Sequence, residues 1–454
     1  MPNPNNPHIL GTENIGKLLL NYSIPAIIGM TLTSLYNIID SVFIGHGVGP
    51  MAISGLAISF PLMNLIMAFC TLVGVGGATI SSIRLGQKDR HGASEVLGNV
   101  LVLCIVNGIL FGSISLFFLD DILRFFGASN NTLPYARDFM QIILLGTPIS
   151  YVMIGLNNVM RATGYPKKAM QTSMLTVASN IVLAPIFIFY FKWGIRGAGI
   201  ATVISQFIGM IWILHHFLSE ESYIHFEKEL YKLKKRIVLS IFGIGMSPFL
   251  MNICASMVVI IINNSLQDNG GDLAIGAYGI INRVLTLFVM IVLGLTMGMQ
   301  PIIGYNYGAR QFDRVRKTLK YGIITGVAIT SAGFIACELF PHAIVAMFTD
   351  DAELTRLAQY GLRICVMIFP LVGCQIVISN FFQSVGKAQI SIFLSLSRQL
   401  LYLLPCLLFL PPIWGVTGVW SSMPVSDFFA FITAIIILSL HFKKIRKREL
   451  LNEV

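Results

Sequence analysis

Leu85-Gly86-Gln87-Lys88 and Tyr307-Gly308-Ala309-Arg310 each end a long apolar stretch, and their glycines are 222 residues apart. The same spacing recurs along most of the chain. It relates Gly76 to Gly298, Leu97 to Leu319, Pro148 to Pro370, Asn158 to Asn380 and Gly164 to Gly386, while Trp193-Gly194 matches Trp414-Gly415 at a spacing of 221. Collinear matches that include proline and tryptophan are difficult to obtain by chance, so the sequence predicts an internal duplication.

The composition is typical of a membrane protein. Hydrophobic residues make up 55% of the 454 residues and charged residues 11%, and the mean hydropathy is +0.77. A soluble protein of this length needs more charge to cover its surface, whereas lipid removes that requirement. We therefore expect an all-α polytopic membrane protein.

Twelve apolar runs are long enough for a helix to cross the hydrocarbon core, which takes about 20 residues for about 30 Å. They lie near residues 17–44, 52–83, 94–118, 136–159, 168–190, 195–218, 238–264, 274–306, 318–341, 360–383, 389–411 and 414–441. Each half holds six spans, an even number, so the two repeats are parallel. Such repeats relate by a pseudo-twofold axis along the membrane normal, with a central cavity between them.

This pattern divides the chain into five segments. They are a cytoplasmic N-terminal segment 1–16, an N-lobe 17–218, a cytoplasmic linker 219–237, a C-lobe 238–441 and a basic cytoplasmic tail 442–454. The orientation follows from lysine and arginine, of which 23 lie in one set of connections and 6 in the other. Cytoplasmic connections carry such an excess, so both termini are predicted to be cytoplasmic. The net charge of +10 then reflects topology, and no nucleic-acid partner is expected.

Asp40 is an ionisable residue in the outer half of the first span. A charge inside a span costs about 2.5–3.5 kcal/mol on insertion scales, so it needs a reason. Tyr36 and Asn37 precede it by four and three residues and share its helix face. Asn180 in the fifth span and Thr202 in the sixth can offer oxygens to a cation beside Asp40, or simply hydrogen-bond between helices. A carboxyl here can carry ion coupling or make a structural hydrogen bond.

Pro25 lies fifteen residues before Asp40 in the same predicted helix. A proline in a helix interior removes a backbone hydrogen bond and permits bending. We therefore predict a hinge at Pro25, whose bend changes when Asp40 takes up a proton.

Arg283, Arg398 and Asp427 lie near mid-depth in spans of the C-lobe. An unpaired charge has a high free-energy cost at that depth, so the three residues are expected to form an ion-paired network. Gln300, near the end of the eighth span, is grouped with them as a candidate substrate contact. Three roles remain open for this group: facing the cavity, carrying a second protonation site, or holding helices together.

Several stretches resemble the multidrug and toxic compound extrusion (MATE) family, in its prokaryotic branch. They are Pro25 with Leu35-Tyr36-Asn37-Ile38-Ile39-Asp40, the run Gln300-Pro301-Ile302-Ile303-Gly304-Tyr305-Asn306-Tyr307-Gly308-Ala309, and Arg161-Ala162-Thr163-Gly164 with Gln383-Ser384-Val385-Gly386. The resemblance covers essentially the whole chain.

The resemblance implies two six-helix lobes in a V shape and secondary active export of drugs or toxic organic cations by antiport with H⁺ or Na⁺. It implies Asp40 as the main coupling residue, no cofactor, a monomer, the bacterial inner membrane and a role in antibiotic resistance. Many relatives read Asn-x-x-Leu-Asp-Pro where this chain reads Asn180-Ile181-Val182-Leu183-Ala184-Pro185. The second acid is missing, which favours H⁺ over Na⁺ at Asp40; no other metal site is expected.

Two other classes of function are considered. An enzyme is disfavoured because all eight histidines lie in loops or at span ends, and HExxH and GxSxG motifs are missing from the sequence. A flippase for lipid-linked saccharides, built on a related fold, is the stronger alternative. It would favour a strongly cationic cavity, whereas Asp427 and Asp40 here offset Arg283 and Arg398.

Overall fold

The computed structural model describes residues 8–220, 222–226, 232–349 and 351–450, with side chains throughout except at 33–38, 41, 42, 45, 46, 50, 51, 53, 272 and 444–450. Helices, joined by short turns, are the only regular secondary structure within these ranges. The prediction of an all-α membrane protein is therefore confirmed.

The described part of the first half holds nine α-helices: α1 (Ile9–Thr12), α2 (Ile15–Gly47), α3 (Pro50–Gly86), α4 (Arg90–Phe117), α5 (Leu119–Phe125), α6 (Leu133–Leu145), α7 (Thr147–Ala162), α8 (Pro166–Pro185) and α9 (Gly194–Leu218). A π-helical segment, Ile186–Tyr190, continues α8. Pro185 lacks the N–H that would continue regular helical bonding, which accounts for the change of helix type at this point.

Among the residues described in the second half there are eight α-helices: α10 (Lys235–Gly308), α11 (Phe312–Leu339), α12 (Pro341–Ala346), α13 (Ala352–Val366), α14 (Phe369–Ser384), α15 (Ala388–Leu396), α16 (Leu404–Phe409) and α17 (Pro411–Leu450). A second π-helical segment, Ser397–Leu403, joins α15 to α16. Non-helical backbone at Gly271 divides α10 into two spans, Lys235–Gly271 and Leu273–Gly308.

The described helices account for the twelve predicted spans. Ten are long and apolar enough to cross a membrane, and the pairs α6–α7 and α13–α14 add two more if each bent pair counts as one span. These pairs bend by 56° and 52°. Pro148 and Pro370, which are 222 residues apart, lie just after the two breaks. Equivalent spans of the two halves therefore break at equivalent positions.

Left-handed backbone recurs at the same spacing. It relates Gly49 (φ 113°) to Gly271 (63°), Lys88 (61°) to Arg310 (58°), Gly164 (110°) to Gly386 (75°) and, at 221, Gly194 (57°) to Gly415 (58°). Backbone dihedral angles do not depend on how residues are matched in sequence. They therefore support the duplication independently.

The chain forms two compact units. The first contains Met1–Ile253, Met297–Val315 and Ser384–Gly386, and the second contains Cys254–Thr296, Arg316–Gln383 and Lys387–Val454. The boundaries of the N-lobe, the linker and the C-lobe stay a prediction from the sequence.

In the first unit, helices approach closely at glycines. The ends of α10 that belong to this unit pack on α3. A Cβ at Gly245 would lie 1.7 Å from the Leu72 carbonyl oxygen, and one at Gly86 would lie 1.9 Å from the Tyr305 carbonyl oxygen. Because these neighbours are backbone atoms, they cannot move aside as a flexible side chain can. The contacts therefore require glycine.

We expect Gly245→Ala to lower the free energy of unfolding by about 1–3 kcal/mol, because the added methyl group forces α10 away from α3. Gly243, two residues earlier, meets nothing within 4 Å and supplies the matched control. Gly243→Ala should be neutral or slightly stabilising, since alanine favours helix over glycine. Thermal unfolding of the purified protein in detergent compares the two. Equal midpoints would contradict this account of the contact.

In the second unit, α17 packs against α13 and against the segment Ser397–Leu403. Trp420 is fully buried and lies against Gly361, where a Cβ would be 2.9 Å from the indole. Pro424 cannot donate to the Trp420 carbonyl oxygen four residues before it. The Cys365 Sγ lies 3.9 Å from that oxygen, so a weak thiol hydrogen bond replaces the missing backbone one.

Candidate functional site

Asp40 lies in α2 and is 6% exposed. Within the described residues its Oδ1 has no hydrogen-bond partner, and its carboxyl forms no ion pair. Buried polar atoms in proteins are normally bonded, and an isolated buried charge is far more costly than a neutral group. The geometry therefore identifies a carboxyl whose described neighbours do not support a permanent negative charge.

Asn180 and Thr202 lie together between α8 and α9. Both are buried, and the Asn180 Nδ2 donates to the Thr202 Oγ1 at 3.3 Å. The Thr202 hydroxyl donates in turn to the Ala198 carbonyl oxygen at 3.0 Å. These two bonds use the Asn180 side-chain N–H and the Thr202 O–H, and they leave the Asn180 side-chain carbonyl as an acceptor for a third group.

Two contacts set the relative heights of α2 and α8. A Cβ on Gly29 would lie 3.6 Å from the Ser173 Oγ, and one on Gly47 would meet Ile188. At about 1.5 Å per residue, the heights of Asp40 and Asn180 differ by about 6 Å when counted from the first contact and by about 1.5 Å when counted from the second, which is at most about one helical turn. The helices pack against each other along this length, and α9 packs on both. Asp40, Asn180 and Thr202 therefore lie at about the same height along these helices in the first unit.

The remaining residues predicted beside Asp40 give less information. The side chains of Tyr36 and Asn37 lie outside the described residues. Pro25 is inside α2, which continues through it as one helix. Ala184, where the resemblance to the family implies an acid, is fully buried in α8, two residues before the π-helical segment. Its methyl group offers no ligand to a cation.

Gln206, one turn after Thr202 on α9, is a polar residue that the sequence analysis missed. Its Oε1 accepts a hydrogen bond from the Ser150 hydroxyl of α7. Since Gln206 follows Thr202 by four residues, the two side chains share one face of α9. That spacing was available in the sequence and would have indicated the residue.

Arg398 and Asp427 form a buried ion pair in the second unit. The Arg398 Nε donates to the Asp427 Oδ1 at 2.5 Å. The side chain of Asp427 is 9% exposed and that of Arg398 is 34% exposed. Arg398 stands on the π-helical segment and Asp427 on α17. Tyr402 continues the contact one turn away, with its hydroxyl 2.7 Å from the Thr433 Oγ1.

Two residues grouped with this pair in the sequence analysis lie elsewhere. Arg283 is exposed on α10 and has no ion pair within the described residues, so the expected three-residue network reduces to a pair. Gln300 belongs to the first unit, where its Nε2 donates to the Thr79 Oγ1 of α3 at 2.7 Å. The hydrophobic pattern places such residues in spans but does not say which helix each one meets.

Comparisons with known proteins agree with this architecture. The family model MatE matches twice, at residues 25–186 and 244–408, once in each half. A curated relative, "Multidrug export protein MepA" of Staphylococcus haemolyticus, is 29% identical over 429 residues and covers 94% of both chains. The protein of the same name from Staphylococcus aureus is 27% identical over 424 residues, which is 93% of both chains.

Solved structures show the same similarity. A structure of the "MATE multidrug transporter DinF-BH", solved as a complex, is 36% identical, with a TM-score of 0.87 over 94% of this chain and 96% of that one. "Crystal structure of MATE in the bent conformation" has a TM-score of 0.92 over 97% and 98% of the chains; at 23% identity it shows the fold alone.

Proposed function

Because this chain belongs to the MatE family of multi-pass membrane transporters, which are not enzymes, we propose that it exports organic compounds in exchange for protons. The proposed substrates are chemically diverse drugs or toxic organic cations. Support comes from the names of the relatives, which are multidrug export proteins, and from the related structure of a multidrug transporter. Export by alternating access suits a duplicated bundle of twelve spans.

The observation that carries the coupling proposal is the buried Asp40 carboxyl without a hydrogen-bond partner at Oδ1 within the described residues. A neutral carboxyl is tolerated there, whereas an ionised one needs a cation nearby. A proton and a cationic substrate can therefore satisfy the same group in turn. Exchange follows if each occupant favours a different conformation. Pro25, lower in the same helix, is the proposed hinge between these conformations.

The proton is favoured over Na⁺ by the donor groups around Asp40. A hard cation is held by several oxygen ligands, often including more than one carboxylate. Here Ala184 offers none, so Asp40 is the one carboxylate among Asp40, Asn180, Thr202 and Ala184. A proton needs only the Asp40 carboxyl.

We place the protein as a monomer in the bacterial inner membrane with both termini in the cytoplasm.

Proteoliposomes test the class and the ion together. Vesicles with purified protein are loaded with a fluorescent organic cation. They are then given an inwardly directed proton gradient (acidic outside), an inwardly directed Na⁺ gradient, or no gradient. We expect fast release with the pH gradient alone. Release that follows only the Na⁺ gradient would replace the proposed ion. Movement of a lipid-linked saccharide, with no release of any organic cation, would replace the proposed function by the flippase.

A further inference from the structure

A cavity of about 560 Å³ lies in the first unit, where α3 and α10 end. Its walls come from three segments: Thr12 at the end of α1, Gln87 and Lys88 after α3, and Arg310 and Gln311 after α10. None of the described residues that line it is acidic. The cavity is therefore polar and positively charged.

The two helices that open onto this cavity end in the same way. After α3, the Asp89 N–H donates to the Arg84 carbonyl oxygen and the Lys88 N–H to that of Leu85, both at 3.0 Å. After α10, the Gln311 N–H donates to the Asn306 carbonyl oxygen at 2.8 Å, and the Arg310 N–H to that of Tyr307 at 3.1 Å. Both patterns are Schellman motifs, with the left-handed position occupied by Lys88 and Arg310.

Glycine is the usual residue at that position, because a Cβ is strained in left-handed backbone. The chain follows this preference at the ends of α7 and α14, where Gly164 and Gly386 take it. Lys88 and Arg310 do not follow it, although they are equivalent positions 222 residues apart. Lys192 also takes left-handed backbone, and a cation near a helix end is favoured by the helix dipole, so the strain alone assigns no role. The feature that Lys88 and Arg310 share is that both line the cavity.

Neither cation is neutralised by a described residue. Lys88 and Arg310 form no ion pair within the described ranges of the chain. Asp89, the acid next to Lys88, pairs with Arg84 and accepts from the Gly92 N–H at 2.8 Å. Burial raises the pKa of Asp89, but its bonds with Arg84 and Gly92 outweigh this effect, and the net pKa lies below the usual value. The negative charge of Asp89 is therefore compensated by Arg84 and does not neutralise Lys88.

The wall supplied by α1 is held in place by buried contacts. The Asn306 Nδ2 donates to the Leu10 carbonyl oxygen at 2.9 Å, and the Arg314 Nη2 donates to the same oxygen at 3.0 Å. Leu10 and Asn306 are both fully buried. His8 adds a contact at 3.0 Å between its Nδ1 and the Tyr305 hydroxyl. The cavity is therefore preformed.

We propose that this cavity binds the phosphate group of an anionic ligand, held between Lys88 and Arg310. Guanidinium and ammonium groups are the side chains that recognise phosphate oxygens. The volume lies in the range of small-molecule sites and exceeds what one phosphate needs, so a phospholipid headgroup with its glycerol fits better than the free ion. The cavity also lies at the ends of two spans, where headgroups are found. The orientation that belongs to the proposed function places the cavity at the cytoplasmic leaflet, and this placement rests on that proposal.

Substitution by glycine tests this proposal without damaging the fold, because glycine relieves the strained backbone. The double variant Lys88→Gly/Arg310→Gly is compared with wild type and with Lys192→Gly. Lys192 is also left-handed, at φ 56°, and does not line the cavity, so the control repeats the lysine-to-glycine change, with the loss of one cation, away from the site. The midpoint of thermal unfolding of the full chain in detergent is measured as phosphatidylglycerol is added. Phosphatidylcholine serves as the neutral control lipid. Inorganic phosphate is tested separately, against chloride at equal ionic strength.

We expect phosphatidylglycerol to raise the midpoint of wild type and of Lys192→Gly alike. The double variant should need at least about tenfold more lipid for half the rise, since it lacks two cations at the headgroup. A rise with inorganic phosphate that removes the effect of the lipid would support a free phosphate as the source. A rise with lipid alone would support the headgroup. If the double variant responds to phosphatidylglycerol as Lys192→Gly does, the proposed site is wrong.

Discussion

Asp40→Asn is expected to abolish coupled export while leaving the protein folded. Asparagine has nearly the same shape as aspartate and stays neutral, so it satisfies the buried position in every state. It cannot release a proton, and it offers no charge to a cationic substrate. A proton or a substrate that binds two conformations equally well cannot drive exchange between those conformations. Cells that produce the variant should therefore release a fluorescent organic cation at the background rate of cells without the transporter.

Asp121→Asn is the matched control for this result. Asp121 is an exposed carboxylate in α5, so the same substitution there removes a charge without touching the site. Cells with this variant should export at the wild-type rate, at equal amounts of protein in the membrane. Wild-type export by Asp40→Asn would remove Asp40 from the coupling mechanism.

Breaking the buried ion pair of the second unit should strongly destabilise the protein. Arg398→Met leaves the Asp427 carboxylate, 9% exposed, without its cation, and we expect a loss of about 3–5 kcal/mol in the free energy of unfolding. Asp427→Leu should cost less, because the Arg398 side chain is 34% exposed and keeps some access to polar surroundings. Denaturant or thermal unfolding in detergent measures both effects.

The double variant Arg398→Met/Asp427→Leu separates the roles of this pair. Apolar residues of similar volume often replace a buried pair at little cost, so most of the stability should return. Export by the stable double variant at the wild-type rate would assign the pair to holding α17 against the π-helical segment. Loss of export with restored stability would assign it to transport. A double variant as unstable as Arg398→Met would contradict the pairing itself.

The fold could largely be predicted because its main determinants are visible in the sequence. Long apolar runs locate the spans, and the spacing of 222 residues locates the repeat. The breaks near Pro148 and Pro370 follow from proline chemistry. The left-handed backbone at Lys88 and Arg310 could not be predicted, because residue type argues against it. The φ angles of the two residues, with the hydrogen bonds at the two helix ends, reveal it.

The candidate site could be predicted less fully. The cost of a buried charge identifies Asp40 and the group of Arg398 and Asp427 from the sequence alone. It does not identify neighbours, which depend on how helices rotate and pack. Gln300 therefore meets Thr79 instead of the charged group, and Arg283 stays exposed on α10. Polar residues such as Gln206 are inexpensive in a helix and give only a weak signal.

Proton movement driven by the substrate tests the central claim most directly. Sodium-free proteoliposomes are loaded with an organic cation and a pH-sensitive dye, placed in drug-free buffer of the same pH, and held at zero membrane potential. Escape of the cation through the wild-type protein should acidify the vesicle interior, and this is the result expected from exchange with protons. No such acidification is expected with Asp40→Asn. Acidification by Asp40→Asn at the wild-type rate, or export by the wild type without any proton movement, would contradict this claim.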